Sequence, residues 1–499
     1  MAGKIQLLLP VVFPILMGII VVTAKGLRNN RKGLCRVVSV GLVVSWLLVL
    51  WALTVDSGGL SLWQFTAAVE IAFKVDGISR LFAGLTATVW LLVGIYSFSY
   101  MTHEEREHEF FGCYLIVLGV LIGLDFSANL ITFYLFYEAM TLTSLPLVLH
   151  ERTKEAVMAG LKYLFYSVAG AFLALFGIFF LTVTAGDLTF LPGGVLKAEM
   201  LAGREAVFFA ALCCMLVGFG AKAGMFPLHG WLPTAHPVAP APASAVLSGV
   251  ITKSGVLGII RVVYYIAGPR LIRGSWVQTV WMILTLTTVF MGSMLAYKEP
   301  VLKKRLAYST VSQVSYILFG LSLLEPTGFV GALSHVIFHS LVKNALFMSA
   351  GAVIFCTGWT KVEQMKGLGR VMPKMLACYT LVSLTLVGIP PTSGFISKWY
   401  LAQGALSSET GVFTWLGPVI LLISALLTAG YLFPLTIQGF FPGTDFSDEE
   451  LRERGLFGRE PSRFMLVPVL VLTVGAVLFG CFPTPLLSFL QAVAGTVFG

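Results

Sequence analysis

Residues 333–347 read LSHVIFHSLVKNALF, and this apolar stretch carries three side chains that can bind protons. His335, His339 and Lys343 follow one another at intervals of four residues. On a helix this spacing places them within roughly 80° of arc, each about 6 Å above the last. Because the segment is otherwise apolar, it predicts a helix inside a membrane. Ionisable side chains are costly there and usually mark a functional path. The stretch therefore predicts both a membrane fold and a site.

The composition of the whole chain agrees with a membrane protein. Of 499 residues, 57% are hydrophobic and only 11% are charged, whereas a soluble domain has about 25% charged residues. Apolar runs of roughly 20 residues predict about 14 membrane crossings, with the seventh at 205–234, the twelfth at 373–404 and the last at 464–490. The first run, 5–25, lacks the basic region and cleavage site of a signal peptide and is interpreted as a retained helix.

The positive charge of the chain indicates its orientation in the membrane. The net charge is +9, and the Lys and Arg residues are concentrated in alternate loops, such as those around Lys25, Arg152 and Lys361. Because cytoplasmic loops carry the excess of Lys and Arg, we expect these loops inside the cell and both termini outside. The basic residues thus predict a multi-pass protein of the cytoplasmic (inner) membrane, and not one that binds nucleic acid.

The sequence has no pattern typical of a bound metal or redox group. Its seven cysteines form no CxxC pair and no Cys/His cluster with zinc or iron–sulfur spacing. No glycine-rich nucleotide fingerprint is present either. We therefore expect no metal and no cofactor on this chain, and we expect most of the cysteines to be small core residues.

Seven ionisable residues lie deep inside the apolar segments and are the candidate site. They are Glu138, Lys222, Lys253, His335, His339, Lys343 and Lys398. We interpret them as a proton path, although a single buried lysine can also bind backbone carbonyls and merely fix a helix. Two histidines four residues apart are also a zinc pattern, but no HExxH motif accompanies them. Arg261 and Asp125 lie near the outer ends of their segments, where we expect them to extend toward the membrane surface.

Two of the predicted crossings contain glycine and proline beside a lysine. In the seventh, Lys222 precedes Gly224 and Pro227, and in the twelfth, Pro391 precedes Lys398. Glycine and proline interrupt membrane helices, and broken helices in matching positions of two halves are typical of inverted-repeat transporters. Since the two crossings are five apart, we predict inverted five-helix repeats, helices 4–8 and 9–13, with helices 7 and 12 broken. Ordinary proline kinks are the alternative.

Several long blocks of the sequence together resemble one known family. They are GWLPTAHPVAPAPASAVLSGVITKSGVLGIIR (230–261), LKKRLAYSTVSQVSYI (302–317), LSHVIFHSLVKNALFMSAG (333–351) and GIPPTSGFISKWYL (388–401). Between residues 138 and 398 the chain resembles the antiporter-type membrane subunits of respiratory complex I, of the Mrp cation/proton antiporter and of energy-converting hydrogenases. Four blocks in the same order are far more specific than one short motif.

The resemblance implies a role for each candidate residue. The family's path matches, in chain order, Glu138 in helix 5, Lys222 in helix 7, Lys253 in helix 8, His335, His339 and Lys343 in the central axis, and Lys398 in helix 12. An inner half-channel around Lys222 and Lys253 would then lead along the axis to an outer exit around Lys398. Some members carry glutamate at this last position, and the lysine favours the Mrp D type or the most quinone-proximal complex I type.

On this basis we predict an all-α integral membrane protein with four parts. They are N-terminal helices 1–3 (1–109), a repeat with the proton entry half-channel (110–266), a repeat with the exit half-channel (276–441), and a cytoplasmic loop with helix 14 (442–499).

The predicted function is that of a membrane subunit which moves protons, or exchanges cations for protons, inside a larger complex. We expect it to carry no redox chemistry itself and to act beside homologous antiporter-like subunits and small membrane subunits. A peripheral arm with iron–sulfur clusters on other chains would supply energy in complexes of the complex I or hydrogenase type. Two alternatives are a stand-alone secondary transporter for a small solute and a structural scaffold. The choice between H⁺ alone and Na⁺/H⁺ exchange stays open.

Overall fold

The computed structural model describes residues 2–55, 58–66, 69–444 and 446–499, which fold mainly as long helices. The long helices are α1 (Ala2–Thr23), α2 (Arg31–Ala52), α3 (Gly77–Tyr100), α4 (Glu107–Asp125), α5 (Leu130–Val148), α6 (Lys154–Ala185), α7 (Glu205–Ala223), α8 (Ala241–Ala267), α9 (Trp276–Lys298), α10 (Leu302–Ser322), α11 (Pro326–Thr357), α12 (Pro373–Val387), α13 (Ser393–Ser407), α14 (Phe413–Phe440), α15 (Arg463–Cys481) and α16 (Thr484–Phe498). Shorter helices in the connections are Lys25–Arg28, Leu232–Val238, Pro269–Ile272, Leu368–Val371 and Asp448–Glu453.

A β-hairpin precedes α3, so the prediction of a wholly α-helical chain holds for the membrane segments only. Strands β1 (Gly59–Thr66) and β2 (Val69–Lys74) pair antiparallel, with Leu60 opposite Phe73. Both of these side chains are buried. The hairpin is fixed to the end of α4, because the backbone N–H of Lys74 donates to the carbonyl of Phe126 at 2.8 Å.

The membrane character of the chain is confirmed, whereas the number of crossings stays a prediction. Among the described residues, 12 helices are long and apolar enough to cross a membrane. Two of the 14 predicted crossings are not among these 12. One was predicted at 305–324 and corresponds to α10, which begins with the basic run LKKR. The other, at 373–404, corresponds to α12 and α13, which have 15 residues each.

The last predicted crossing, 464–490, is wrong in its bounds. The helix α15 ends at Cys481, and a separate helix, α16, begins at Thr484. Pro483 and Pro485 explain the interruption, because proline lacks the N–H that would continue the helix and is tolerated in the first turn of the next one.

Both predicted helix breaks are present in the structure. The helix α7 ends at Ala223 and is followed by Gly224, whose φ of +83° is in the left-handed region that favours glycine. A Cβ at that position would lie 2.3 Å from the Leu232 side chain, so the turn is also closely packed. Likewise α12 ends at Val387 and the chain resumes helical geometry at Ser393. The ordinary-kink interpretation is wrong, because each helix stops and a new one starts.

The two most deeply buried helices are α8 and α11, which form the centre of the molecule. Every residue of α8 and every residue from Gly328 to Val353 of α11 is buried. Two π-helical turns, Leu247–Ile251 and Arg261–Ala267, widen α8, and such turns occur often at functional sites. Lys253, His335, His339 and Lys343 lie on these two helices and are therefore shielded from lipid.

The expectation that Arg261 and Asp125 extend toward the membrane surface is wrong. Arg261 is buried, and its Nη1 lies 2.5 Å from Oδ2 of Asp76, the residue that caps α3. Asp125 is also buried and accepts a hydrogen bond from the Thr86 hydroxyl at 3.2 Å. Burial alone raises the pKa of the Asp76 carboxyl, but the neighbouring guanidinium outweighs it and holds the pKa below its ordinary value. The pair Arg261–Asp76 is an internal tie between α8 and α3.

We expect the substitution Asp76→Ala to destabilise the protein, because it leaves the Arg261 guanidinium buried without its carboxylate. The loss should be about 3 kcal/mol, the low end for a buried pair, since the Asp76 side chain is 22% exposed. A lower midpoint of thermal unfolding in detergent measures the effect. The surface pair Arg152–Glu109, whose side chains are 55% and 36% exposed, supplies the control. Glu109→Ala should change stability by less than about 1 kcal/mol. An equal loss in both variants would show that the Arg261–Asp76 pair does not stabilise the fold more than a surface pair does.

Candidate proton path

Lys222 occupies the last turn of α7, directly before the helix break, and is fully buried. Its Nζ donates to three hydroxyl groups, those of Tyr163 at 2.7 Å, Thr141 at 3.0 Å and Ser167 at 3.1 Å. The ring of Tyr163 also lies 4.3 Å from the ammonium. The carbonyl end of a helix favours positive charge, and the hydroxyl groups replace the water that a buried ammonium has lost. This arrangement stabilises the lysine without an ion pair.

Glu138 lies on α5, three residues before Thr141, and its side chain is half-buried. Within the part of the chain that the structure describes, its Oε1 is buried and has no hydrogen-bond partner. No ion pair joins it to Lys222 in these described ranges, where the lysine binds hydroxyl groups instead. Leu135 and Leu142, one turn away on either side, are exposed. Glu138 therefore lies near the surface of the subunit, with one carboxyl oxygen, Oε1, buried.

Lys253 and the histidines of α11 form a polar row that combines hydrogen bonds with ring stacking. The Nζ of Lys253 lies 2.7 Å from Nδ1 of His339 and donates to the Ser248 carbonyl at 2.6 Å. Since an ammonium can only donate, Nδ1 accepts this bond when Lys253 is charged, and the proton of the neutral imidazole is then on Nε2. The rings of His339 and His335 are 5.8 Å apart at an angle of 28°. Nδ1 of His335 lies 2.9 Å from Oγ of Ser397, on α13.

Lys343 follows the histidines on the same stripe of α11 and is fully buried. Its Nζ donates to the carbonyl of Leu306, on α10, at 3.1 Å. Lys343 therefore lies inside the protein and binds to the neighbouring helix α10. His335, His339 and Lys343 thus lie buried on one helix, as their spacing predicts.

Lys398 lies on α13 and reaches back across the helix break. Its Nζ donates to the carbonyls of Leu386 at 2.6 Å and Val387 at 2.9 Å, which are the last residues of α12. These carbonyls have no partner within their own helix and carry partial negative charge, so they form a ready site for a cation. The ring of Tyr316 lies 5.1 Å below the ammonium. The break thus creates the binding site of the lysine that follows it.

Neutral side chains that the sequence analysis did not single out complete the axis. Among the described residues, several buried polar atoms have no hydrogen-bond partner in the protein. They include Nε2 of His335 and His339, both amide atoms of Gln313, Oγ of Ser340 and Oδ1 of Asn344. Buried polar groups are rarely left unpaired, and bound water commonly satisfies them. The interior between α10 and α11 is therefore polar enough for a chain of water molecules.

His236 was also missed, although it lies in the quoted block 230–261. It is fully buried and stacks on Phe347 of α11, with ring centroids 4.6 Å apart. In the described part of the chain neither ring nitrogen has a partner. Nearby, the Nζ of Lys303 donates to the carbonyl of Ala239 at 2.5 Å. The signals were a histidine in TAHPVAP and a lysine at the start of a membrane helix, both easily taken for loop residues.

The zinc interpretation of the pair His335–His339 finds no support in the geometry. One Nδ1 faces Lys253 and the other faces Ser397. Within the described ranges, no group of three His, Cys, Asp or Glu side chains is placed to hold a metal ion. The two histidines belong to the lysine-containing row.

Comparison with known proteins gives a consistent result along the chain. Residues 127–427 match the family model described as the membrane region of NADH:quinone oxidoreductase and the Mrp antiporter, and residues 63–111 match that of the N-terminus of complex I chain 5. The chain is 33% identical over 429 residues to the N-type subunit of the NADH-quinone oxidoreductase of Desulforudis audaxviator, covering 84% of this chain and 83% of that protein.

Two further relatives are Mrp proteins. The D-type subunit of the Na⁺/H⁺ antiporter of Bacillus subtilis is 30% identical over 480 residues, covering 95% of this chain and 93% of that protein. A chain of the Mrp complex from Dietzia superimposes with a TM-score of 0.84 at 22% identity, covering 100% of this chain and 98% of that one. The expected similarity to the D-type protein is confirmed.

Proposed function

This chain belongs to the family of NADH:quinone oxidoreductase and Mrp antiporter membrane subunits, and we propose that its buried charged residues carry protons through it. The proposed path consists of Glu138, Lys222, Lys253, His335, His339, Lys343 and Lys398. Protons enter from the inner side around Lys222 and Lys253, follow the axis through the middle of the membrane, and leave to the outer side near Lys398. The repeats 110–266 and 276–441 are the proposed entry and exit halves.

The row from Lys253 through His339 and His335 to Ser397, with a hydrogen bond at each end and stacked imidazole rings between them, is the observation that supports this proposal most strongly. It connects the helix α8 of the first half with the helix α13 of the second half. Histidine exchanges protons near neutral pH, and the unpaired ring nitrogens face a polar interior. A scaffold would gain no stability from these groups, because burying ionisable side chains is costly.

The surroundings of the subunit follow from the same family. The chain is a multi-pass subunit of a membrane complex, and we place it in the cytoplasmic membrane with both termini outside. Its neighbours would be homologous antiporter-like subunits, and Glu138 at the subunit surface would face one of them. Driving energy would come from an iron–sulfur arm on other chains or from an ion gradient. Purification of the native complex and identification of its chains would distinguish the two sources of driving energy. A chain that purifies without partners would instead indicate a stand-alone transporter.

Substitutions on the stripe of α11 test the path. We expect Lys343→Ala to reduce transport more than His335→Ala or His339→Ala, because water can replace one relay member more easily than a charged group. The initial rate of proton or sodium flux into liposomes that contain the complex measures the effect.

The matched control is Ser334→Ala on the same buried helix. The Ser334 hydroxyl donates only to the Val330 carbonyl of its own helix, at 2.7 Å, so its loss should leave the flux unchanged. Complete and equal loss of transport in all three path variants, together with bound zinc in the purified complex, would instead support a metal site.

A further inference from the structure

Tyr316 of α10 contacts two ionisable residues of the path, His335 and Lys398. It is fully buried. One side of its ring stacks on His335, with centroids 5.6 Å apart and an angle of 20° between the rings. The ammonium of Lys398 lies 5.1 Å from the same ring centre. Among the described contacts, this ring is the one group that touches both His335 and Lys398.

Beside this ring, His335 and Lys398 bind to different partners. His335 bonds to Ser397 through Nδ1, and Lys398 bonds to the carbonyls of Leu386 and Val387. The described hydrogen bonds therefore contain no link from the histidine to the lysine. An aromatic face has no proton to give and no lone pair that could hand one on. The described contacts thus offer a proton at His335 no direct route to Lys398 beside this ring.

The ring is held in place from its far end. The Tyr316 hydroxyl donates to the carbonyl of Leu421, on α14, at 2.8 Å. Close by, the hydroxyl groups of Ser312 and Ser424 lie 3.2 Å apart and join α10 to the same helix. A charged lysine adds a third constraint, because the face of an aromatic ring attracts a cation. The observed position of the Tyr316 ring, called closed below, is thus stabilised most when Lys398 carries a proton.

We propose that Tyr316 is a gate between His335 and Lys398 whose closure depends on the charge of Lys398. This inference rests on the proposed function, in which Lys398 is the last proton carrier. When Lys398 releases its proton outward, the attraction between ammonium and ring is lost and the ring can swing aside. Water then links Nε2 of protonated His335 to the neutral amine, and one proton passes from the imidazolium to the lysine. The recharged lysine draws the ring back and blocks return flow.

The gate predicts a proton leak when the ring is removed. In liposomes that contain the whole complex, with neither substrate nor coupling ion supplied, we expect Tyr316→Ser to raise passive proton conductance under an imposed pH gradient. The expected rise is at least about tenfold, which corresponds to about 1.4 kcal/mol off the barrier. Tyr316→Phe retains the ring face and should stay far less leaky than Tyr316→Ser. A pH-sensitive dye inside the liposomes follows the flux.

Tyr264 provides a matched control for removing a buried tyrosine. It is as buried as Tyr316, and its hydroxyl also donates to a backbone carbonyl, that of Leu321 at 2.6 Å. Its ring packs on Phe329 and Phe498 instead of the axis. Tyr264→Ser should therefore not leak.

Three outcomes would overturn the gate: an assembled Tyr316→Ser complex as tight as wild type, an equal leak from Tyr264→Ser, or an equal leak from Tyr316→Phe. Failure of the proposed function has a different signature. It would appear as wild-type driven transport in Lys398→Ala, whatever the leak of the Tyr316 variants.

Discussion

Replacing Lys398 by alanine should abolish driven transport while the subunit still assembles. The ammonium is the only cation that the described contacts place on the carbonyls of Leu386 and Val387. Its side chain is only partly buried, so water can reach these carbonyls when the side chain is removed. The helix break itself is formed by glycine and proline and does not depend on the lysine. Flux in liposomes and the amount of assembled complex after purification measure the two effects separately.

The variant Lys398→Arg separates proton transfer from charge. Arginine keeps the positive charge and the hydrogen-bond donors, but it is not deprotonated in proteins. We expect Lys398→Arg to assemble and to transport no better than Lys398→Ala. The control is Arg305, which is also bound to backbone carbonyls, those of Glu299 at 2.7 Å and Tyr431 at 2.9 Å. Arg305→Lys should retain transport in the complex that assembles. Wild-type flux in either Lys398 variant would remove this residue from the path.

The charged part of the candidate path was predictable from sequence for a simple physical reason. A lysine or glutamate in a hydrocarbon-like segment is so costly that it rarely occurs without a role. Lys222 and Lys398 also stand beside glycine and proline, and the structure confirms that a helix ends at each place. The spacing of His335, His339 and Lys343 fixes a common helix face whatever the tertiary structure is. Local sequence was sufficient in these cases.

Neutral members of the axis could not be recognised in the same way. No local pattern marks Gln313 or Tyr316. Tertiary packing alone shows that the Gln313 amide lacks a hydrogen-bond partner among the described residues and that Tyr316 contacts both His335 and Lys398. Serine and threonine hydroxyl groups around Lys222 are equally inconspicuous. A polar side chain acquires its role from what faces it, and a single sequence does not contain that information.

The pairing of Arg261 with Asp76 could not be predicted from nearby sequence, because it is a long-range contact. The two residues are 185 positions apart. Nothing near Arg261 in the sequence offers an acid, so extension toward the membrane surface was the better local prediction. Asp76 directly precedes the first residue of α3, and its carboxylate also caps that helix by accepting a hydrogen bond from the N–H of Ser79. The break between α15 and α16, in contrast, is predictable from local sequence, because Pro483 and Pro485 lie at that point.

Glu138 and Lys222 are the remaining pair in the proposed entry half. In this structure Lys222 is stabilised by Thr141, Tyr163 and Ser167, and no ion pair with Glu138 is formed within the described ranges. If Glu138 and Lys222 form a switch with two positions in the proposed path, this arrangement is its separated state. In the closed state the carboxylate of Glu138 would approach the ammonium and hold its proton. Because Thr141 is one turn from Glu138 on α5, about 60° away around the helix axis, the closed state would need a rotation of that helix or of the Glu138 side chain.

The substitution Glu138→Gln should leave the fold intact and reduce transport by about tenfold or more, the effect of about 1.4 kcal/mol on a barrier. Glutamine keeps the shape of the side chain but removes the charge that alternately holds and releases the proton of Lys222. Glu138→Asp should retain part of the activity, because the charge remains and only its reach is shorter. Glu155→Gln, at an exposed position in the first turn of α6, is the control for loss of one acidic group and should transport normally. Proton or sodium flux in liposomes decides between these outcomes. Normal transport by Glu138→Gln would show that the charge of Glu138 is not the switch, and equal losses in Glu138→Gln and Glu138→Asp would show that its geometry matters more than its charge.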